Sequence, residues 1–384
     1  YNNALGESAL LSNTTGSSNI AVGGSALREN TTASNNTAVG ESALRANTTG
    51  TFNTAVGSNA LNLNTTASNN TAVGVNALDT NTTGADNTAV GKNALDANTT
   101  GAQNTAVGSG AGDSITTGAN NVAIGQNSLS GETTGGRSVA IGVNALANQN
   151  FTGGETPYNV AIGLNAGLSL TTGLHNVFVG GLSAGGGTIT GRDNTCVGHN
   201  SGNSLTSGFN NLLLGHDAGI TGSPGGNINS ETNEIVLGDE NIQEAHIQVD
   251  WTVASDERDK TDFVDLDLGL DFVKALEPVT YYWDKRSKYG DKYAEDYDLD
   301  AQTPDGTHKE DWMDVGFKAQ AVQALEEAAG YTSAANKNLT ISATDDGKQM
   351  GIQYSKFVPI LVKAIQDQDA IITALTARIE ALES

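Results

Sequence analysis

The apolar positions in the first two thirds of the chain recur on a fixed spacing. The glycine of an Ala-Val-Gly-like triplet falls at Gly6, Gly23, Gly40, Gly57, Gly74, Gly91, Gly108, Gly125 and Gly142, always 17 residues apart, which is the signature of a solenoid. The step then becomes 21 to Gly163, 17 to Gly180, 18 to Gly198, 17 to Gly215 and 23 to Gly238. Within a unit such as Asn36–Phe52, Thr-Ala-Val is a short β-prone run and the glycine after it takes a corner of positive φ. Ala-Leu makes a second short run, and Asn-Thr-Thr-Gly turns the chain back. Two short strands and two turns per unit predict one rung of a parallel β-roll. Val39 is expected above Val56 and Val73, and Leu44 above Leu61 and Leu78, in apolar columns inside. The interruptions at Asn148–Tyr158, Gly181–Asp193 and Gly219–Asn233 are expected as surface loops.

After Gly238 the pattern changes. Ile247, Val249 and Trp251 alternate with His246, Gln248 and Asp250 as in a half-buried strand. Phe263, Leu266, Leu270, Val273 and Leu276 keep helical spacing up to Pro278, and Val279–Trp283 reads as a strand. Asp284–Asp311 is polar and charged, a loop or mobile insertion. Val315–Gly330 gives a strand end and an amphipathic helix closed by a glycine. From about Ser355 a heptad seam follows, with Val358, Ile365, Ile372 and Ile379 at a and Leu361, Gln368, Leu375 and Leu382 at d. β-Branched a with leucine at d suits two strands better than three, and Gln368 is a register-setting polar layer. The fold class is therefore mainly β: a parallel β-roll of 17-residue repeats, then a small α+β domain ending in a coiled-coil helix. The expected domains are the roll at 1–240, a neck at 241–254, and a C-terminal domain at 255–384 with its coiled coil at 355–384.

Composition sharpens this picture. With 47 glycines, 37% hydrophobic and 5% aromatic residues, the chain cannot build one large conventional core. One valine and one leucine per rung, at ~1.5–3 kcal/mol each when fully buried, barely offset the ordering of a rung at ~1–2 kcal/mol per residue. Several chains are therefore expected to associate along their alanine-rich faces. Residues 1–250 carry 17 acidic and 5 basic residues and the remainder 26 and 14, so the net charge of -24 divides evenly. Such acidity opposes binding to nucleic acid or an anionic membrane. No apolar run approaches the ~18 residues that span a bilayer, so no membrane insertion is expected. The single cysteine, Cys196, excludes an internal disulfide and stands where the repeat has alanine, as a small core residue would. No calcium-binding Gly-Gly-x-Gly-x-Asp array occurs, and neither metal nor cofactor is expected. Thr31, Thr48, Thr65, Thr82 and Thr99 could form an ice-binding rank, but Asn-Thr-Thr reads better as a turn with solvated hydroxyls. The repeat is already under way at Tyr1 and no signal peptide is evident, so the chain reads as a fragment.

The units NTAVGxNAL with NTTG resemble the head repeats of trimeric autotransporter adhesins of the YadA type. That resemblance implies left-handed parallel β-rolls packed as trimers. The stretch Ser255–Lys260, with Ser255, Asp256, Arg258 and Lys260, followed by Gly316, Phe317, Ala319 and Gln320 and the heptads, resembles the self-cleaving intramolecular chaperone of endosialidases and of many phage tail fibres and tailspikes. This second resemblance implies a homotrimer and a serine–lysine dyad that cuts adjacent to Ser255. Ser255 would be the nucleophile and Lys260 the base, with Asp256, Arg258, Gly316, Phe317 and Gln320 in support. A serine hydroxyl needs a base, and lysine serves only once burial strips its charge. Residues five apart do not share a face of a helix or strand, so a turn, or a lysine from a neighbouring subunit, must supply the pairing. Asp259 stands where the family has an apolar residue, and its carboxylate favours the charged form of Lys260, opposing cleavage.

The expected function is the distal part of a homotrimeric phage tail fibre or spike that attaches to a host-surface receptor, a glycan or an outer-surface protein. Its chaperone would act once as a serine endopeptidase, with no other turnover, and the processed fibre would belong to the virion after synthesis in the host cytoplasm. One rival is a bacterial trimeric surface adhesin, against which the C-terminal coiled coil counts. The other is a glycan-degrading tailspike, which needs paired carboxylates in a groove, and the rungs are poor in acidic residues.

Overall fold

The computed structural model describes residues 1–248, 251, 253–294, 296–332, 339–344 and 346–383. They form two compact units, Tyr1–Asn241 and Ile242–Ser384.

The first unit is a parallel β-solenoid. Its three-residue strands, β1 (Asn3–Leu5) to β14 (Ile235–Leu237), form one 14-stranded sheet in strict sequence order. Strand pairing holds equivalent residues in register, for example Thr37↔Thr54, Ala38↔Ala55 and Val39↔Val56. Side chains alternate along a strand, and here the central alanine points inward. Ala38, Ala55 and Ala72 are fully buried, whereas Val39, Val56 and Val73 are 36–37% exposed. The valines do stack, but outside, so the expected inner valine column is an outer one.

The Ala-Leu run is not a second strand. Ser42 and Leu44 have φ of 56 and 51, so Ala43–Leu44 lies in a turn and each coil has a single strand. A left-handed leucine costs ~1–2 kcal/mol, and complete burial of Leu44, worth ~1.5–3 kcal/mol, offsets it. Gly40 has φ of 139, and a Cβ there would run into the backbone of Gly57 one coil on. The period is thus fixed by a column of backbone contacts.

Between strand and turn run two buried asparagine columns. In one, Asn30, Asn47, Asn64, Asn81 and Asn98 each donate Nδ2 to Oδ1 of the asparagine 17 residues earlier, at 2.7–3.0 Å, and to the carbonyl three residues on. In the other, Oδ1 of Asn36 accepts the N–H of Asn53 at 2.9 Å, while Asn36 Nδ2 donates to the Gly50 carbonyl at 2.9 Å. The threonine hydroxyls are not simply solvated: Thr48 Oγ1 donates to the Thr65 carbonyl at 3.0 Å and Thr65 to that of Thr82 at 3.1 Å.

Departures from the consensus compensate one another. Where Gly112 replaces the leucine, Ile115 replaces the asparagine and fills the vacated core, its Cδ1 only 3.0 Å from where a Cβ on Gly112 would stand. The asparagine column stops there, leaving Asn98 Oδ1 without a hydrogen bond. Residues 152–156 are exposed, as a surface loop requires. The insertion within Gly219–Asn233 instead folds inward, burying Ile220 and Ile228. Cys196 is fully buried between Phe178 and Leu213 on neighbouring strands, and burial pushes its thiol up to about 12.

In the second unit no strand forms among the described residues of 242–254, and Ile247 and Trp251 are exposed; Val249 and Asp250 of the expected strand lie outside the described residues. The first helix, α1, is only Leu270–Ala275 and starts at Gly269. Phe263 and Val264 stay exposed, so the helical spacing there overstates the helix. Strand β15 (Val279–Tyr281) pairs antiparallel with β16 (Asp314–Gly316). Helix α2 (Ala319–Ala328) follows, then the hairpin β17 (Ile341–Ala343) and β18 (Met350–Ile352), which the sequence pattern had not indicated, and α3 (Phe357–Glu383). The core gathers Leu268, Phe272, Val322, Ile341, Phe357 and Ile360. The described residues of 284–311 are tied down by Arg286–Asp300 at 2.5 Å and Lys288–Glu310 at 2.7 Å and anchored by buried Leu299.

Replacing Asn64 by alanine strands the Oδ1 of Asn47 and one N–H of Asn81 in the interior. Such orphaned groups cost ~1–3 kcal/mol. Urea unfolding should record that loss for Asn64→Ala, and under ~0.5 kcal/mol for exposed Thr49→Ala; equal losses would count against the ladder.

Candidate functional site

The Ser255–Lys260 segment makes its own geometry. Asp256 is extended and its Oδ1 accepts the N–H of Arg258 at 2.9 Å, capping a one-turn 3-10 helix over Glu257–Asp259. The Lys260 N–H closes the turn on the Glu257 carbonyl at 3.1 Å. Arg258 folds back on its own cap, with Nε 3.0 Å from Oδ1 and a terminal guanidinium nitrogen 2.6 Å from Oδ2 of Asp256. Asp-x-Arg is thus a short clamp that reverses the chain. As a result Lys260 Nζ donates to Ser255 Oγ at 2.6 Å and to the Ser255 carbonyl at 3.3 Å. Of the two routes left open by the five-residue spacing, the single chain uses the turn.

The electrostatics centre on the clamp. Hydrogen bonds from the Arg258 side chain, and then from its backbone N–H, hold the Asp256 carboxyl below its ordinary value of 3.8, and the pairing raises the Arg258 guanidinium. Ser255, Asp259 and Lys260 are all exposed. A lysine serves as a base only when water is removed from around it.

Gly316, Phe317 and Gln320 lie elsewhere. Gly316 ends β16, where a Cβ would collide with the Tyr354 hydroxyl and crowd the Tyr281 ring. The Phe317 N–H donates to that hydroxyl at 3.3 Å, and the Phe317 ring stacks on Phe357 at 5.5 Å between centroids. Gln320 is exposed on the first turn of α2. Gly316 and Phe317 pack the end of β16 against Tyr354 and the start of α3, while every hydrogen bond of the Ser255–Lys260 turn named above stays inside the turn. Buried Glu326 supports the same frame by accepting from the N–H and hydroxyl of Thr340 at 2.7 and 2.6 Å.

Helix α3 has two unlike faces. Phe357, Ile360 and Ala364 are buried, and Asp367 accepts the Leu270 N–H at 3.1 Å. The seam of Val358, Leu361, Ile365, Ile372, Leu375, Ile379 and Leu382 is 45–80% exposed, and Gln368 is exposed with it. Among the described residues no helix is long and apolar enough to cross a membrane.

A β-solenoid followed by a small mixed unit with an open helical seam describes the class of molecule. Residues 255–331 match the family model described as chaperone of endosialidase, peptidase S74. That family carries autoproteolytic peptidase activity and trimer formation, and the matched stretch begins at Ser255. No curated protein and no solved structure matches the chain.

A group whose folded value is depressed stabilises its fold above the unfolded value and loses that contribution as pH falls through the folded one. The Asp256 cap is therefore complete above pH 3.8 and is lost only in stronger acid. Carbon-detected NMR should place the Asp256 midpoint below 3.8 and move it up in Arg258→Ala. A midpoint that Arg258→Ala leaves unchanged would show that the clamp does not act on Asp256.

Proposed function

We propose that the chain is the distal part of a homotrimeric phage tail fibre or spike. The solenoid, with its loops, contacts a host-surface receptor, and residues 255–384 align three chains before cutting themselves off. The observation that carries this reading is the 2.6 Å contact between Lys260 Nζ and Ser255 Oγ at the first residue of the chaperone match.

In the proposed reaction Ser255 Oγ attacks the carbonyl carbon of the adjacent peptide while Lys260 Nζ accepts the hydroxyl proton. The C–O bond forms, the C–N bond breaks, and Lys260 returns the proton to the leaving amine. Water then hydrolyses the ester. In the single chain both residues are exposed, so this state is a resting one. Neighbouring chains supply the desolvation, which makes cleavage a report on assembly.

Denaturing gels should show the wild type cut next to Ser255 with first-order kinetics once trimers exist. Ser255→Ala, Lys260→Ala and Lys260→Arg should each stay uncut, a loss of at least ~100-fold, since arginine keeps its charge. Asp259→Leu should cut faster. Cleavage of Ser255→Ala at the same bond would assign the cut to an external protease, and an intact wild type would leave a chaperone without a protease.

In the uncut Ser255→Ala background, sedimentation equilibrium should give the mass of three chains, and Ile372→Asp on the exposed seam should lower it. A chain ending at Ser255 should misassemble, because near-identical coils pair out of register without a clamp. Soluble trimers from that truncated gene product, as heat-resistant as processed ones, would refute the chaperone role.

A further inference from the structure

The position directly after the strand-closing glycine is filled by His199, His216 and Asp239 in three successive coils at the end of the solenoid. From their arrangement we infer that His199, His216 and Asp217, with Asp239 beside them, form a binding site for a zinc-type divalent transition metal ion.

The imidazoles of His199 and His216 stack with centroids 5.5 Å apart and planes 10° from parallel. His199, His216 and Asp217 each bring one ligand atom within 4.8 Å of the others. His216 Nδ1 lies 3.5 Å from Asp217 Oδ2 and 3.3 Å from Asp239 Oδ2. Tetrahedral zinc with bonds of ~2.0–2.2 Å sets its ligand atoms ~3.3–3.5 Å apart, which is the spacing found around Nδ1. A cation seated among His216 Nδ1 and the two carboxylate oxygens would be shared by all three as ligands.

The carboxylates are held from behind, as ligands to a metal usually are. The Asp217 side chain is fully buried and its Oδ1 accepts from Asn200 Nδ2 at 2.8 Å, which leaves Oδ2 towards His216. Asp239 is 8% exposed and accepts from the Asn241 N–H and Nδ2, each at 2.9 Å. Both imidazoles are open to solvent, which gives an ion its way in. Two imidazole nitrogens with carboxylate oxygen suit zinc, nickel, cobalt or copper. Calcium and magnesium prefer six or more oxygens.

The rest of the solenoid shows that these side chains are not needed for folding. The place of His199 and His216 is taken elsewhere by Ser58, Lys92 and Gln126, and the place of Asp217 by Asn59, Asn76 and Asn93, which bond along their column at 3.3 Å. His199→Ser, His216→Gln and Asp217→Asn therefore install residues that other coils already hold.

The untagged full chain, stripped with a chelator, should bind one zinc ion per chain in calorimetry with a Kd of 10 micromolar or tighter. Cobalt should give visible d–d absorption at the same stoichiometry. Each of the three variants should weaken binding at least tenfold while melting, metal-free, like the wild type. Zinc should raise the wild-type melting temperature and leave that of the double variant His199→Ser/His216→Gln unmoved. No uptake by the wild type at 100 micromolar zinc, or full stoichiometry in the double variant, overturns the site and leaves the cluster as histidine–carboxylate hydrogen bonds only.

Discussion

Each coil of the solenoid leaves its polar groups to be satisfied by the next. The interior of a typical coil contains two alanines and one leucine, too little apolar surface to enforce a shape. What enforces it is that Asn47, Asn64 and Asn81 are buried with hydrogen bonds that exist only if a neighbouring asparagine stands 17 residues away. Burying such an amide without a partner is costly, so the period is held by a penalty as much as by an attraction. The glycine column adds a steric limit, since Gly40 admits no Cβ against Gly57. Length is thereby unlimited in principle, while the spacing is fixed.

The same constraint explains what was readable in the sequence. Period, strand position and parallel stacking all follow from the recurrence of Thr-Ala-Val-Gly, and they stand in the structure as read. The inward residue was misjudged because hydrophobicity ranks valine over alanine. In a three-residue strand the alternation admits only the central side chain, and that is Ala38. The second strand was misjudged because a left-handed leucine such as Leu44 is rare enough that propensity argues against it. Ile220 and Ile228 carried a signal that the inserted length hid: an insertion with two β-branched apolar residues has something to bury. The turn from Ser255 to Lys260 could have been found from Asp-x-Arg, since an aspartate two residues before an arginine can cap and clamp one turn. The hairpin Ile341–Ile352 gave too short an apolar run to separate from loop.

Two apolar surfaces remain open in the single chain. One is the outer column of Val39, Val56, Val73, Val90 and Val107; the other is the α3 seam. They belong to different units and follow different periods. The helix has already used its Phe357, Ile360 and Ala364 face within its own unit, so the seam is surplus to the folding of that unit. Its second half is exposed, and a helix so rich in exposed isoleucine and leucine depends on packing that one chain does not supply. The chaperone family matched by residues 255–331 implies trimer formation.

A ladder that fixes spacing but not position creates a particular difficulty for assembly. Coils 17 residues apart present nearly the same outer surface, because Val39, Val56 and Val73 occupy equivalent, partly exposed places, so a neighbouring chain shifted by one coil would meet an equivalent surface. Energy differences between such registers are then confined to the coils that break the pattern, among them those of Gly112 and Ile115, Phe178 with Gly167, and Cys196. These are few and internal. The discrimination must come from a segment whose own fold is aperiodic and is placed once per chain, and the unit containing α1, α2 and α3 meets that description. At the first residue of the stretch that matches the chaperone family, the Lys260 amine and the Ser255 hydroxyl lie 2.6 Å apart and both residues are exposed in the single chain.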